Sequence, residues 1–179
     1  MYWLVISIQY IINPRFDGNN LSGWEGEPFG AYEPMENAEH YNKTYNTYQR
    51  IEGLPAGKYR VSLQAFYRMG SANNDYSLYS SSNYADYQYA KLYANSSTEE
   101  VEVSIVSASS AALDESLGGG TSTVGGSEYI PNNMVAANYW FEAGYYINSI
   151  EVNVGDDGML IIGIYKNQTI NNDWTCLDN

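Results

Sequence analysis

Cysteine, histidine and proline are scarce in this chain of 179 residues, which has one cysteine, one histidine and five prolines, and only eight Lys and Arg stand against 21 Asp and Glu. The single Cys176 excludes an internal disulfide framework, and no His or Cys lies beside it at zinc-ligand spacing, so it reads as a small buried hydrophobe. That count leaves the redox compartment open. The shortage of cations gives a formal charge of -13 and a pI near 4.2. Such a surface repels phosphate backbones and anionic headgroups, which argues against nucleic acid and membrane surfaces as partners. Calcium, cationic partners and neutral glycans remain compatible. Long apolar runs are missing too. The run from Tyr2 to Ile12 is too short to span a bilayer and lacks both a basic leading region and a small-residue cleavage site, so it reads as a buried first strand. A secretion signal would then lie outside this chain, or the chain is a fragment of something longer.

Catalytic signatures are equally sparse. No G-x-S-x-G, H-E-x-x-H or phosphate-binding loop occurs, and Gly118-Gly119-Gly120 lacks the lysine that such a loop needs. His40 lies in the polar, acidic stretch from Glu36 to Tyr41 with no serine or cysteine elbow nearby, so no general base is assigned. A glycosidase would need only two facing carboxylates. The acids here cluster in turns and loops, as on a solvated surface, and the chain is read as non-catalytic.

Tyrosine is abundant, with 19 residues. It offers a flat apolar face and a hydroxyl, and it suits both wet binding surfaces and half-exposed sheets. Taken one at a time, most of these tyrosines read as sheet surface.

Strand signals dominate the remainder. From Lys58 to Arg68, Tyr59, Val61, Leu63 and Ala65 alternate with polar residues, after a turn at Leu54-Pro55-Ala56-Gly57. Tyr89 to Asn95, Val101 to Val106, Ile147 to Val154 and Met159 to Lys166 also read as strands. Gly155-Asp156-Asp157-Gly158 joins the last two as a hairpin loop by composition, so Ile150, Val152 and Val154 can share a core with Leu160, Ile162 and Ile164. Asn132 to Ala143 reads as one short helix, with Met134, Ala137 and Phe141 on one face and Gly144 as its stop. Three long polar connections, 17–42, 69–86 and 107–128, are where function would sit. Many short strands without alternating helices predict an all-β antiparallel β-sandwich, residues 1–179 forming one domain.

A sugar site needs an aromatic platform flanked by groups that read hydroxyls. Asn172-Asp173-Trp174 supplies these in a row, and Phe66-Tyr67-Arg68 adds a second aromatic and a forked donor. The competing reading is that Trp174 plugs the end of the sandwich while Arg68 pairs with an acid. Trp24, after Gly23, reads as a core plug.

Several phrases in order carry a resemblance: Asn13-Pro14-Arg15-Phe16-Asp17, Gly23-Trp24, Tyr45 to Gln49, Leu54 to Tyr59, Phe66-Tyr67-Arg68, Ala90 to Asn95, Tyr129-Ile130-Pro131-Asn132, Phe141 to Tyr145 and Asp173-Trp174-Thr175 before Asp178-Asn179. Together they resemble galactose-binding-like jelly-roll domains, related to carbohydrate-binding modules, of large secreted or surface proteins in gut-type bacteria. The resemblance implies an extracellular or cell-surface accessory domain, monomeric or part of a longer chain, that binds poly- or oligosaccharide. The alternative is a structural or adhesive spacer presenting tyrosines to protein. If the strand order follows the family, Glu39 and Tyr41 approach Trp174, Asp173, Asn172, Arg68 and Tyr67. The resemblance also implies a structural calcium held by Asp17 and Asp178 with backbone carbonyls between Asn13 and Gly18. Such domains continue past Asp178-Asn179, so the closing strand is expected to be clipped.

Overall fold

The computed structural model describes residues 10–31 and 36–178. Alternation in the strand with the clearest period-2 pattern, β5 (Gly57–Arg68), holds over its first half, then gives way to four successive buried residues, Ala65, Phe66, Tyr67 and Arg68. The strand thus runs from a half-solvated sheet into one covered on both faces. That sheet has the order β10 (Ile147–Val154), β5, β12 (Trp174–Asp178), β3 (Ala38–Tyr41), β2 (Gly30–Ala31). Facing it is a second sheet, β1 (Glu25–Gly26), β4 (Tyr45–Ile51), β11 (Leu160–Lys166), β6 (Lys91–Ser96), β7 (Glu100–Ser104). Neighbours in both are antiparallel, so the predicted β-sandwich is what forms.

Inward residues of the two sheets make the main core: Tyr59, Val61, Ile150, Val152 and Val154 from one, and Ile51, Leu92, Ala94, Leu160, Ile162 and Ile164 from the other. Each large apolar side chain buried here contributes about 1.5–3 kcal/mol relative to exposure. The shared core expected of β10 and β11 is present, but the hairpin is not. β10 pairs with β5, whereas β11 is flanked by β4 and β6, so residues 155–158 cross from one sheet to the other. Composition marked the turn correctly and could not show which sheet each arm joins. Gly158, at φ 65°, closes the crossing against Leu54. Leu54 N–H donates to its carbonyl at 3.0 Å, and a Cβ there would stand 2.6 Å from Leu54 O.

A second cluster lies on the outer face of the β5–β12 sheet, where Phe66, Trp174 and Cys176 meet Val124, Ile130, Ala136, Ala137, Trp140, Phe141 and Tyr146. The cover is α2 (Met134–Glu142) with the hairpin of β8 (Thr121–Val124) and β9 (Glu128–Pro131). Asn133 caps α2 by accepting from Ala136 N–H at 2.8 Å, and Gly144 at φ 84° stops it, close to the predicted ends. A further helix, α1 (Ala72–Tyr79), occupies the expected 69–86 loop. Its Asp75, fully buried, accepts from Met69 N–H, Ser107 Oγ, Ser109 N–H and Ser109 Oγ, which ties α1 to the 3-10 turn at Ala108–Ala111. The three long connections are therefore built structure. The first carries β1, β2 and β3, the second α1, and the third the 3-10 turn and β8.

Cys176 is fully buried, as expected. The predicted first strand falls mostly outside the described residues; its last part, Tyr10 to Ile12, is not strand, and the Ile12 backbone bonds both ways with the Gln49 amide. Among the described residues, no helix is long and apolar enough to cross a membrane.

Candidate functional site

The strand order does gather the seven residues expected to bind ligand. Trp174 of β12 stands opposite Arg68 of β5 on one side and Tyr41 of β3 on the other, a single rung across three strands. The Arg68 guanidinium lies 5.2 Å from the Trp174 ring centre, Phe66 packs edge-on at 4.9 Å, and Trp174 Nε1–H donates to Glu39 Oε2 at 2.6 Å. Arg68 donates to Gly70 O, Asn132 Oδ1 and Asn172 O. On the opposite face of the same sheet, Asp173 accepts from Tyr67 Oη at 3.0 Å and pairs with Lys166.

This convergence is internal. Trp174 is 3% exposed, Arg68 6% and Asp173 1%, because α2 and the β8–β9 hairpin cover one face and the second sheet covers the other. Trp174 therefore offers no stacking face to a sugar, and the reading in which it plugs the sandwich end is the one the packing supports. Its competing half needs a correction, since Arg68 satisfies backbone and amide oxygens rather than an acid. Burial raises the pKa of Glu39, against the pull of the Trp174 hydrogen bond and Arg68, and burial raises that of Asp173 against Lys166. Tyr41 and Asn172, joined by a 3.0 Å hydrogen bond, are exposed, and Glu39 is half-buried.

His40 has no catalytic setting. It is stacked on Tyr45 at 4.0 Å and lies beside Phe29, with Nε2 2.9 Å from Thr47 Oγ1. Thr47 donates its hydroxyl to Glu27 O, so it accepts from His40, which puts the proton on Nε2. Burial, with help from Lys43 and Lys166, pushes the histidine down to about 3. Trp24 packs against Phe16 and Phe29 and donates to Asn13 O, as a core plug would.

Of the pair expected to hold calcium, Asp17 lies exposed in a 3-10 turn and Asp178, half-buried, stands opposite Gln64 at the end of β12. Among the described residues, no three His, Cys, Asp or Glu side chains gather as metal ligands would.

A different surface has the composition a sugar needs. The outer face of the second sheet carries a groove of about 440 Å3 lined by Asn46, Tyr93, Asn95, Glu100, Val101, Glu102 and Tyr165. Register explains it. Tyr165 is opposite Asn46 and Lys91, Tyr93 is opposite Gly163 and Glu102, and Asn95 is opposite Glu100, so the outward positions of four strands converge. The Tyr93 and Tyr165 rings meet edge to face at 5.8 Å. Tyr93 forms the floor at 8% exposure, and the half-buried Tyr165 forms a wall. Gly163 makes room for this, since a Cβ there would lie 2.9 Å from the Tyr93 ring and 2.6 Å from Thr47 O. Both phenols are held protonated, each pushed up to about 12: Tyr165 mainly by its 2.6 Å hydrogen bond to Glu102, Tyr93 mainly by burial while it donates to Asn46 at 2.8 Å. The alternations 91–93–95 and 100–102 were the sequence signal for this face, but only strand pairing brings them to one place.

The chain is thus an antiparallel β-sandwich with one sheet covered and the other presenting an aromatic, amide- and carboxylate-lined groove to solvent. In comparisons with known proteins, no family model and no curated protein matched it.

Proposed function

We propose that this chain is a non-catalytic carbohydrate-binding module, an accessory domain of a larger secreted or surface protein, and that it binds glycan in the groove of Tyr93 and Tyr165. The carrying observation is that groove. It combines an aromatic floor and wall with planar amides at Asn46 and Asn95 and carboxylates at Glu100 and Glu102, the groups that stack on a sugar face and read its hydroxyls. The ordered phrases resembling galactose-binding-like jelly rolls point the same way. Glu100 and Glu102 stand side by side on one strand rather than facing each other, as a glycosidase pair flanking the scissile bond would.

Glycan-array screening of the folded chain, with Tyr165→Ala alongside, tests the reading. Binding that Tyr165→Ala weakens about tenfold, in line with the loss of an aromatic contact worth about 1–1.5 kcal/mol, is expected. A folded chain that binds nothing on the array favours the spacer alternative. Release of reducing sugar, abolished by one carboxylate substitution, would overturn the non-enzyme reading. The calcium expected at Asp17 and Asp178 belongs to this proposal, and its test is simple. A chelator should lower the Tm if the ion binds the native state, and an unchanged Tm removes it.

A further inference from the structure

Resting on the glycan-binding reading, we infer that the groove selects amino-bearing glycans, of the glucosamine or galactosamine type with free amines, over N-acetylated and uronic-acid glycans. Charge and unused hydrogen-bonding capacity in the groove favour such a ligand. Glu100 and Glu102 line the groove, and among the described residues neither is ion-paired. Of the two cations on the same face, Arg50 is paired with Glu25, and Lys91, at the far end of the β6–β7 ladder from Glu100, keeps its charge. Lys91 donates to Ser104 Oγ at 2.6 Å, and Arg50 is held by Glu25 and Tyr48. Glu102 commits one oxygen, Oε2, to Tyr165, which leaves Oε1 for a ligand. Asn46 uses Oδ1 for Tyr93 and keeps its amide N–H groups.

Glu100 and Glu102 are two positions apart on one strand, hence on the same face and about 6.6 Å from each other. That spacing lets them meet separate groups of an oligomer. A protonated amine gains twice in such a place, from the carboxylates and from the electron-rich face of the half-buried Tyr165. A uronate or sulfate ester meets two carboxylates against the single cation of Lys91, within a molecule already at -13.

The test is calorimetric titration at pH 6 with three tetramers: fully deacetylated glucosamine, N-acetylglucosamine of the same linkage, and galacturonate. The glucosamine tetramer should bind about fivefold or more tightly over its acetylated partner, each exposed carboxylate contributing a factor of about two to five. Glu100→Gln with Glu102→Gln should erase that preference, the two tetramers then binding the variant equally, and galacturonate should not bind the parent chain. Added salt at about 1 M, where the Debye length is about 3 Å, should erase it too. Because a strongly acidic protein attracts cations anywhere on its surface, Asp114→Asn with Glu115→Gln serves as the control. Both residues are exposed and outside the groove. If the control pair loses as much affinity as the groove pair, the preference is not the groove's and the inference falls. It also falls, with glycan binding intact, if the acetylated tetramer binds as well as the amine and the groove substitutions change nothing. If no glycan of any class binds the folded chain, the underlying reading fails as well.

Discussion

His40 lies between Phe29 and Tyr45 with no water-facing atom to spare, and the energetic consequence appears on acidification. Its pKa in the fold, about 3, is below the ordinary 6.5, so the folded chain refuses a proton that the unfolded chain accepts. Stability from this group is full above pH 6.5 and is lost as the pH falls towards 3, at about 1.4 kcal/mol per pH unit. Glu39, Asp75 and Asp173, all raised by burial, act in the opposite sense, since they hold their protons more readily folded than unfolded. Their effect enters as the pH falls through their raised values and is complete below their ordinary ones. Denaturant titrations of His40→Gln from pH 7 to 5 should therefore show a flatter decline than the parent, and equal slopes would contradict this account of His40. Asp75 makes a separate prediction. Asp75→Ala strands Met69 N–H, Ser107 and Ser109 in the interior and should cost about 3 kcal/mol or more. In a thermal melt that is a fall of about 10 °C; a shift under 3 °C would mean that water replaces the carboxylate. The sequence singled out His40 but placed it in an acidic loop, and it did not mark Asp75, because an acidic loop and a buried polar network have the same composition.

Element boundaries were legible where a period of 2 or 3.6 ran unbroken. β10 forms over the predicted Ile147–Val154, and α2 sits between its Asn cap and Gly144 stop. Asn133→Ala should cost about 1 kcal/mol through loss of that cap, measured by chemical denaturation, with no change in sheet structure. α1 was not legible, since its apolar pattern is weak and it is held by the polar side chain of Asp75 rather than by an apolar stripe. β3 was equally hidden within the 17–42 connection, and β4 was left unassigned, because the exposed Asn46 and half-buried Tyr48 interrupt any apolar run. β11 shows how an element can be constrained by a single missing side chain. Gly163→Ala places a methyl 2.6 Å from Thr47 O and 2.7 Å from Tyr48 Cβ. Such overpacking costs about 1–3 kcal/mol and would displace Tyr93 from the groove floor, so this variant should lose both Tm and ligand affinity. A variant of unchanged Tm would mean that the β4–β11–β6 packing yields easily.

At the scale of the molecule, the layering decides which surface can bind. Strand pairing puts Arg68, Trp174 and Tyr41 on one rung with Glu39 beside Trp174, while Tyr67 and Asp173 lie on the opposite face of the same sheet. What the sequence could not convey is that α2, α1 and the β8–β9 hairpin pack over the Trp174 face of the sheet and turn the cluster into a buried strut. Among the described residues nothing comparable covers the opposite sheet, where Tyr165, Asn46, Asn95, Glu100 and Glu102 line a groove above the buried Tyr93. The most direct test of this asymmetry is amide chemical-shift mapping with a saturating oligosaccharide chosen from the array. Shifts concentrated at Asn46, Tyr93, Asn95, Glu100, Glu102 and Tyr165 are predicted. Shifts concentrated instead around Tyr41 and Asn172–Trp174 would place the site on the covered sheet's rim and contradict the account.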